Sequence, residues 1–361
     1  MNAPAKLHEA GQSLWLDNIT RDLLDSGTLA RYIAELSVTG LTSNPTIYDK
    51  AIGGTSAYDA AVRDAAAKGL TPDEIFFDLA LADLRRAADL FAPVHARTGG
   101  VDGYVSLEVS PLLARDAAAT HAEALRLHGL GARSNLFIKI PGTPEGLQAI
   151  EDTIFAGVPV NVTLLFSPAQ YIGCMEAYTR GVERRVAAGL PAFVGSVASV
   201  FVSRFDGAVA GKVPDDLRNQ LGLAAGQAAY SEYRAFFATD RWQRLLNEGA
   251  RPQRLLFAST GTKDPAASDT LYITGLAAPN TVNTMPEDTL HAFADHGVVG
   301  EMRSADPAGA NALLARFAAA GIDVEAVGDE LQVKGADAFV TSWSSLLARI
   351  EAKVGEVSPG A

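Results

Sequence analysis

A lysine lies near the end of an apolar run in the middle of this 361-residue sequence. Lys139 belongs to the segment LFIKI at 136–140, whose other residues favour a buried strand. Burying an ammonium group without a partner costs on the order of several kcal/mol. Lys139 is therefore expected to form an ion pair, to extend its ammonium group to solvent, or to act as a nucleophile. The last option is chemically reasonable because an apolar setting favours the neutral amine, which attacks carbonyl carbons.

Other predicted strands also end in polar residues. These are Asp17, Asn44, Glu108, Asn161 with Thr163, Ser199 and Ser259. Taken singly, each allows a structural explanation: Asp17 could cap a helix, and Asn44 could begin a turn. Glu108 could likewise form an ion pair with Lys139 that serves only to stabilise the fold. Taken together, two carboxylates and a lysine predict a polar pocket suited to Schiff-base chemistry on a polar carbonyl compound.

The elements that must position these residues alternate along the chain. Strands are predicted at 14–17, 38–44, 104–109, 136–140, 158–165, 192–199, 254–260 and 270–276. Helical patterns lie between most of them, such as 71–91, where Thr71 is the expected N-cap and Pro72 the first helical residue. This alternation predicts an α/β fold, a (β/α)8 TIM barrel whose catalytic groups lie at the C-terminal ends of the strands. A doubly wound open sheet is the main alternative, but no G-x-G-x-x-G follows the first strand.

The expected domain organisation is a single barrel with appended helices. Residues 1–12 are predicted as an N-terminal extension, 13–285 as the barrel, and 286–361 as C-terminal helices packed on it. The connection at 200–253 is longer than one crossover helix needs and is expected to contain two or three helices. Within it, GAVAGK at 207–212 is one residue short of a phosphate-binding loop and is predicted as surface helix and loop.

Composition excludes several classes of function. The net charge of −12, without a cluster of Lys and Arg, argues against nucleic-acid binding. The start lacks an apolar core of signal-peptide length, and the longest uncharged stretch, 153–175, is interrupted by Pro and polar residues, so no membrane span is expected. The single Cys174 fits a reducing compartment, which predicts a cytoplasmic protein.

Metal and thiol chemistry are also not expected. The six histidines fall in helical patterns, loops or the N-terminal extension, and none has metal-ligand spacing. Cys174 lies in a predicted helix without a visible base, and no G-x-S-x-G elbow is present. The sequence therefore predicts chemistry without a metal or an organic cofactor.

Seven segments in order give a resemblance to a known family. They are LWLDNITRDLL, GLTSNPTIY, VSLEVSP, FIKIPGTPEGLQAI, VNVTLLFSPAQY, SVFVSRFD and STGTKDP. From about residue 13 to residue 285 the chain resembles the transaldolase family, in its longer bacterial form, within the class I Schiff-base aldolases. The resemblance implies transfer of a dihydroxyacetone unit between sugar phosphates in the pentose phosphate pathway. Sugar phosphates are the expected partners, and the oligomeric state is left open between a monomer and a homodimer.

The resemblance also implies a role for each site residue. Lys139 matches the Schiff-base lysine, and Asp17 matches the acid/base at the C4 hydroxyl. Glu108 and Thr163 match the pair that binds a water and relays protons. The residues expected to bind substrate are Asn44 and Asn161 at the dihydroxyacetone moiety, Ser199 near its terminal hydroxyl, Arg204 and Lys263 at the phosphate, and Phe201 and Ser259.

Two positions keep alternatives open. Many family members carry a second arginine after the seventh strand, where this chain has STGTKD, so Lys263 is the expected substitute and would bind phosphate as a point charge. Phe201 stands where the related fructose-6-phosphate aldolases, which release free dihydroxyacetone, place a tyrosine. Phe201 and the chain length favour transfer over release. A non-catalytic barrel that binds sugar phosphates is the remaining alternative.

Overall fold

Eight parallel strands form the barrel that the sequence predicts. The computed structural model describes residues 2–357. The strands are β1 (Gln12–Leu16), β2 (Val38–Leu41), β3 (Val105–Glu108), β4 (Leu136–Pro141), β5 (Val160–Leu165), β6 (Ser196–Phe201), β7 (Arg254–Ala258) and β8 (Thr281–Met285). They pair in the order β2-β1-β8-β7-β6-β5-β4-β3, and every paired neighbour is parallel. The (β/α)8 prediction is therefore confirmed, and the open-sheet alternative is wrong.

The barrel closes between β2 and β3 through only a few hydrogen bonds. The Leu41 amide donates to the Tyr104 carbonyl at 3.0 Å, and Ser43 Oγ donates to the Ser106 carbonyl at 2.8 Å. Gly40 permits this approach, since a Cβ there would lie 2.6 Å from the Trp15 ring and 2.7 Å from the Tyr104 carbonyl oxygen. We call this junction the β2/β3 seam.

Helices surround the barrel and extend beyond it. They are α1 (Ala3–Glu9), α2 (Arg21–Asp25), α3 (Thr28–Glu35), α4 (Pro45–Gly54), α5 (Asp59–Ala67), α6 (Pro72–Arg97), α7 (Ala117–Gly131), α8 (Pro144–Phe155), α9 (Pro168–Ala187), α10 (Ser203–Ala208), α11 (Leu221–Phe237), α12 (Asp240–Asn247), α13 (Leu271–Gly275), α14 (Glu287–His296), α15 (Ala308–Ala319) and α16 (Val324–Val357). The connection after β6 contains α10, α11 and α12, as predicted. Thr71 caps α6, and its amide donates to Glu74 Oε2 at 2.9 Å.

The eighth strand was predicted in the wrong place. The β-favouring run at 270–276 forms the short helix α13, and β8 follows at Thr281–Met285. A parallel crossover needs about a dozen residues or more and usually a helix. The stretch between β7 and residue 270 contains Pro265 and no regular helix, so it cannot serve as that crossover. β8 escaped prediction because Thr281 and Asn283 make its segment look like a loop.

The other seven strands lie where they were predicted, with boundaries shifted by up to four residues, and the shifts at β2 and β6 are the largest. β2 ends at Leu41 rather than at residue 44, which leaves Asn44 as the N-cap of α4. β6 runs from Ser196 to Phe201 rather than from 192 to 199, so Ser199 lies inside the strand and not at its end. The predicted N-terminal extension contains α1, which packs against β1 and α14. Residues 1 and 358–361 of the predicted terminal segments lie outside the described residues.

Large apolar side chains fill the lower part of the barrel. Trp15, Tyr104, Phe137, Leu256 and Val282 are buried in one cluster, and the Tyr104 and Phe137 rings stack with centroids 3.9 Å apart. Because side chains alternate along a strand, the residue two positions beyond Phe137 faces the same interior. That residue is Lys139, so the aromatic layer lies directly beneath it.

The long helix α16 crosses the C-terminal ends of the strands. Gln332 Nε2 donates to the carbonyls of Gly142 at 3.0 Å and Leu164 at 2.9 Å, beyond β4 and within β5. α16 also packs against α4, α5 and α6 on the other side of the barrel. Despite its length, neither it nor any other helix among residues 2–357 is apolar enough to span a bilayer.

Candidate active site

Lys139 projects from β4 into the barrel and is almost completely buried. Its Nζ donates to Glu108 Oε2 at 3.2 Å and to the Ser43 carbonyl at 3.3 Å. Glu108 lies beside Lys139 because β3 and β4 pair these two residues directly. The ring of Phe339, from α16, lies 5.5 Å from Nζ. The ammonium is thus paired, but it keeps one face toward a cavity.

Glu108 and Thr163 supply oxygen atoms next to this lysine. Burial raises the pKa of Glu108 above its ordinary value, against the opposing attraction of Lys139. Glu108 Oε1 and Thr163 Oγ1 are both buried, and neither makes a hydrogen bond within residues 2–357. Buried polar atoms of this kind usually have a protein or water partner. These two oxygens are therefore available to a water or a substrate atom.

Asp17 follows β1 and faces the same cavity. Its backbone amide donates to the Met285 carbonyl at 2.8 Å, and Thr42 Oγ1 donates to its Oδ1 at 2.8 Å. Burial raises the pKa of Asp17, while the charge of Lys139 and the Thr42 hydrogen bond oppose that rise. Asp17 caps no helix; the N-cap of α2 is Thr20.

A layer of polar side chains lies deeper in the barrel. Ser199 Oγ donates to Asn161 Oδ1 at 2.8 Å, and Asn161 Nδ2 donates to Ser106 Oγ at 3.1 Å. Asn161 pairs in register with Lys139 across β4 and β5. Asn161 and Ser199 were predicted at strand ends, but both lie within their strands and are buried. Asn161 keeps one amide hydrogen beside the lysine.

A cavity of about 360 Å³ opens above Lys139 at the C-terminal ends of the strands. Eight of the eleven predicted site residues line it: Asp17, Asn44, Lys139, Ser199, Phe201, Arg204, Ser259 and Lys263. The other three, Glu108, Asn161 and Thr163, lie in the buried layers next to Lys139. The structure thus brings the predicted residues to one end of the barrel.

Two lining residues combine a structural role with access to the cavity. Asn44 Oδ1 accepts from the Ile47 amide at 3.1 Å and caps α4, whereas its structural explanation had been the start of a turn. Its Nδ2 makes no hydrogen bond in the described part of the chain. Ser259 follows β7 with φ of 55°, in the left-handed region that non-glycine residues rarely adopt. Backbone in this region is typical of functional sites.

Cationic side chains line the mouth of the cavity. Arg204 lies over the Phe201 ring, with its guanidinium carbon 5.0 Å from the ring centroid, and burial lowers the pKa of Arg204. Lys263 and Lys50 are exposed and line the same cavity. Among residues 2–357, no acid forms an ion pair with any of the three. Unpaired cations at a polar cavity are suited to a phosphate group.

Some site residues escaped the sequence analysis. Thr42 lies within the GLTSNPTIY segment, so proximity to a strand end could have identified it. Phe339 and Gly335 belong to α16, far along the chain, and no local pattern links them to Lys139. A Cβ at Gly335 would lie 2.9 Å from the Leu164 side chain and 3.4 Å from Arg204 Nη1. Glycine at this position therefore allows α16 to pack close to Arg204.

The described residues offer no alternative constellation for metal or thiol chemistry. No group of three or more His, Cys, Asp and Glu side chains among residues 2–357 could bind a metal ion. Cys174 is buried in α9, where its Sγ contacts Gln253 Oε1 at 3.3 Å, and burial raises its thiol pKa. A thiol in that setting stays protonated and unreactive.

Comparison with known proteins identifies the family of this chain. The family model described as transaldolase/fructose-6-phosphate aldolase matches residues 14–350. The chain is 45% identical to a protein named transaldolase from Parafrankia sp. (strain EAN1pec), with 98% of both chains covered. It is 46% identical to one from Acidothermus cellulolyticus, covering 96% of this chain and 95% of the relative, and 40% identical to transaldolase 2 from Nostoc sp., covering 99% of both. The chain belongs to the transaldolase/fructose-6-phosphate aldolase family.

Proposed function

We propose that this protein transfers a dihydroxyacetone unit from fructose 6-phosphate or sedoheptulose 7-phosphate to erythrose 4-phosphate or glyceraldehyde 3-phosphate, as a transaldolase of the pentose phosphate pathway. The observation that carries the proposal is the buried Lys139 amine, which contacts Glu108 and faces a cavity lined by Asp17 and cations. The relatives named transaldolase support the same activity.

The first half of the reaction forms a covalent intermediate on Lys139. The lysine loses a proton to Glu108 and adds through Nζ to the C2 carbonyl, and loss of water gives a protonated imine. Asp17 takes the C4 hydroxyl proton, the C3–C4 bond breaks, and an aldose phosphate leaves. The electron pair of that bond remains on the three-carbon unit as an enamine.

The second half reverses these steps on an acceptor. The enamine carbon attacks the aldehyde carbon of the second aldose phosphate, and Asp17 returns its proton to the new hydroxyl. Water then hydrolyses the imine. Glu108 Oε1 and Thr163 Oγ1, which have no partner in the described residues, would orient that water. Arg204 and Lys263 would bind the phosphate, while Asn44 and Asn161 would contact the three-carbon unit.

Borohydride trapping tests the covalent step. The protein is incubated with fructose 6-phosphate, reduced, digested and analysed by mass spectrometry. We expect a three-carbon adduct on the peptide that contains Lys139 and none in Lys139→Ala. Lys50→Ala is the matched control, since Lys50 lines the same cavity but is exposed. The Lys50→Ala variant should still form the adduct on Lys139.

Two further outcomes separate this proposal from the alternatives. Without borohydride, transfer predicts that added erythrose 4-phosphate converts the enzyme-bound three-carbon unit into sedoheptulose 7-phosphate with little free dihydroxyacetone. Dihydroxyacetone release at the same rate with and without acceptor would instead indicate a fructose-6-phosphate aldolase. Saturable sugar binding without any adduct would leave only a binding protein.

A further inference from the structure

A second cavity, of about 670 Å³, lies at the opposite end of the barrel from Lys139. It is lined by the first residues of several strands, including Ser13 of β1, Ser196 of β6 and Arg254 of β7. The stacked rings of Tyr104 and Phe137 border it and separate it from the active-site cavity. In TIM barrels this end normally contributes to stability, whereas catalytic groups lie at the other end. The cavity therefore has no part in the activity proposed above.

Among residues 2–357, a single acid lines this cavity, and it is already paired with an arginine. Asp102 is 3% exposed, accepts from Ser13 Oγ, and accepts from Trp15 Nε1 at 2.8 Å. Arg254 lies 3.8 Å from the Asp102 carboxylate and donates to Ser13 Oγ at 2.7 Å. This buried network joins β1 to β7. Three arginines line the cavity, and the network gives one of them, Arg254, an acidic partner.

The other two arginines remain without an acidic partner. Arg251 Nη1 donates to the Gly99 carbonyl at 2.6 Å, and Arg234 Nη1 donates to Tyr230 Oη at 3.2 Å. Neither forms an ion pair with any acid among residues 2–357. On a chain of net charge −12, two uncompensated guanidinium groups at one cavity are a local excess of positive charge. Such groups bind phosphate with strong, directional hydrogen bonds.

Aromatic side chains supply the rest of the wall. Phe193, Tyr233 and Phe237 line the cavity, and the Arg251 guanidinium lies 4.7 Å from the Phe193 ring centroid. The planar ring of a ligand can stack favourably on aromatic side chains of this kind. The volume falls within the range of small-molecule sites, which are mostly apolar with a few polar groups.

We propose that this cavity is a binding site for a nucleotide, a phosphorylated metabolite with a planar ring. The ring lies among Phe193, Tyr233 and Phe237, and the phosphate contacts Arg251 and Arg234. Two cations match a phosphate monoester, which carries close to two negative charges at neutral pH, better than a single carboxylate. The proposal is independent of the activity at Lys139, and failure of either leaves the other standing.

Isothermal titration calorimetry with adenosine 5′-monophosphate tests the site. We expect one molecule to bind per chain, with adenosine and inorganic phosphate each at least tenfold weaker. The double variant Arg251→Gln/Arg234→Gln should weaken binding at least tenfold. Arg204→Gln removes a cation at the other end of the barrel and should leave the affinity for this probe unchanged.

A second variant guards against misfolding of the double variant. Ala238 is exposed at the edge of the cavity, so Ala238→Trp should preserve the fold, checked by circular dichroism, while obstructing the entrance. We expect it to weaken binding at least tenfold as well. Absence of binding to the unmodified protein would overturn the proposal. Equal affinity for inorganic phosphate, or binding lost only in Arg204→Gln, would overturn it too.

Discussion

At the scale of single residues, the environment of Asp17 determines the pH at which this acid can accept a proton. Burial raises its pKa, and a hydrogen bond from Thr42 opposes that rise. Asp17 must be ionised to take the proposed proton from the substrate hydroxyl. The acidic limb of the activity profile should therefore report the pKa of Asp17, above its ordinary value of 3.8.

Thr42→Val should move this acidic limb to higher pH. Valine keeps the shape of the side chain but cannot donate to the carboxylate, so the protonated form of Asp17 is favoured. We expect a rise of up to about one pKa unit, equivalent to about 1.4 kcal/mol. The measurement is kcat/KM against pH.

Thr46→Val is the control, because Thr46 lines the same cavity and bonds to Ser342 rather than to Asp17. Its acidic limb should coincide with that of the unmodified protein. A limb that stays in place in Thr42→Val would remove Asp17 from the proposed role.

Much of the site could be predicted at this scale, since strand ends in a barrel converge. Lys139 stands out because a charged residue in an apolar run is costly to bury without a partner. Glu108 lies beside it because β3 and β4 pair these two residues. The depth of each residue could not be predicted. Ser199 lies within its strand because β6 begins four residues later than its apolar pattern suggests, and Asn161 is the second residue of β5.

At the scale of elements, α16 completes the active site from above. It contributes Phe339 at 5.5 Å from the Lys139 amine and bonds through Gln332 to the backbone near β4 and β5. β5 itself is irregular there, with a register shift between Val162 and Leu165 and φ of 59° at Leu164. Bulges of this kind redirect side chains next to active sites. Sequence periodicity shows that α16 is a helix, but it does not show which part of the barrel this helix packs against.

Gly335→Ala should disturb the site through this packing. The new Cβ would lie 2.9 Å from the Leu164 side chain and close to Arg204, so α16 must shift or Leu164 must move. We expect a loss of stability of about 1–3 kcal/mol, typical of overpacking, and a higher KM for phosphorylated substrates. Chemical denaturation and steady-state kinetics measure the two effects.

Gly355→Ala provides a matched control in the same helix. A Cβ at Gly355 meets nothing within 4 Å, so only helix propensity changes. We expect a gain of up to about 1 kcal/mol and an unchanged KM. If both glycine variants behaved alike, the close packing of α16 on the site would have no functional consequence.

At the scale of the whole molecule, the barrel has one weak junction. Seven neighbouring strand pairs form ladders, whereas the β2/β3 seam depends on the Leu41 amide and the Ser43 hydroxyl. The overall closure could be predicted from the alternation of strands and helices. The position of β8 could not, because its polar segment is recognisable only when the crossover after β7 is required to contain a helix.

Ser43→Ala should loosen the seam. Loss of this hydrogen bond costs about 1 kcal/mol, or roughly a fivefold change in the opening equilibrium. Native-state hydrogen exchange offers an internal comparison within one strand region. The Leu41 amide bonds across the seam to Tyr104, whereas the Thr42 amide bonds to Leu16 on the other side.

We expect exchange at Leu41 to accelerate about fivefold and exchange at Thr42 to change less. Equal acceleration at both amides would mean that the barrel opens as a unit and that the seam is no weaker than the ladders.

The position of α16 in the chain also has a consequence for biosynthesis. All eight strands precede it, so a growing chain can pair its strands and bring Lys139 beside Glu108 before residue 324 has been made. During that interval the lysine lacks the cover of Phe339 and is open to any reactive aldehyde in its surroundings. The nascent protein therefore carries a more open amine than the completed chain, in which Phe339 covers part of Lys139 and leaves the cavity above it open to substrate.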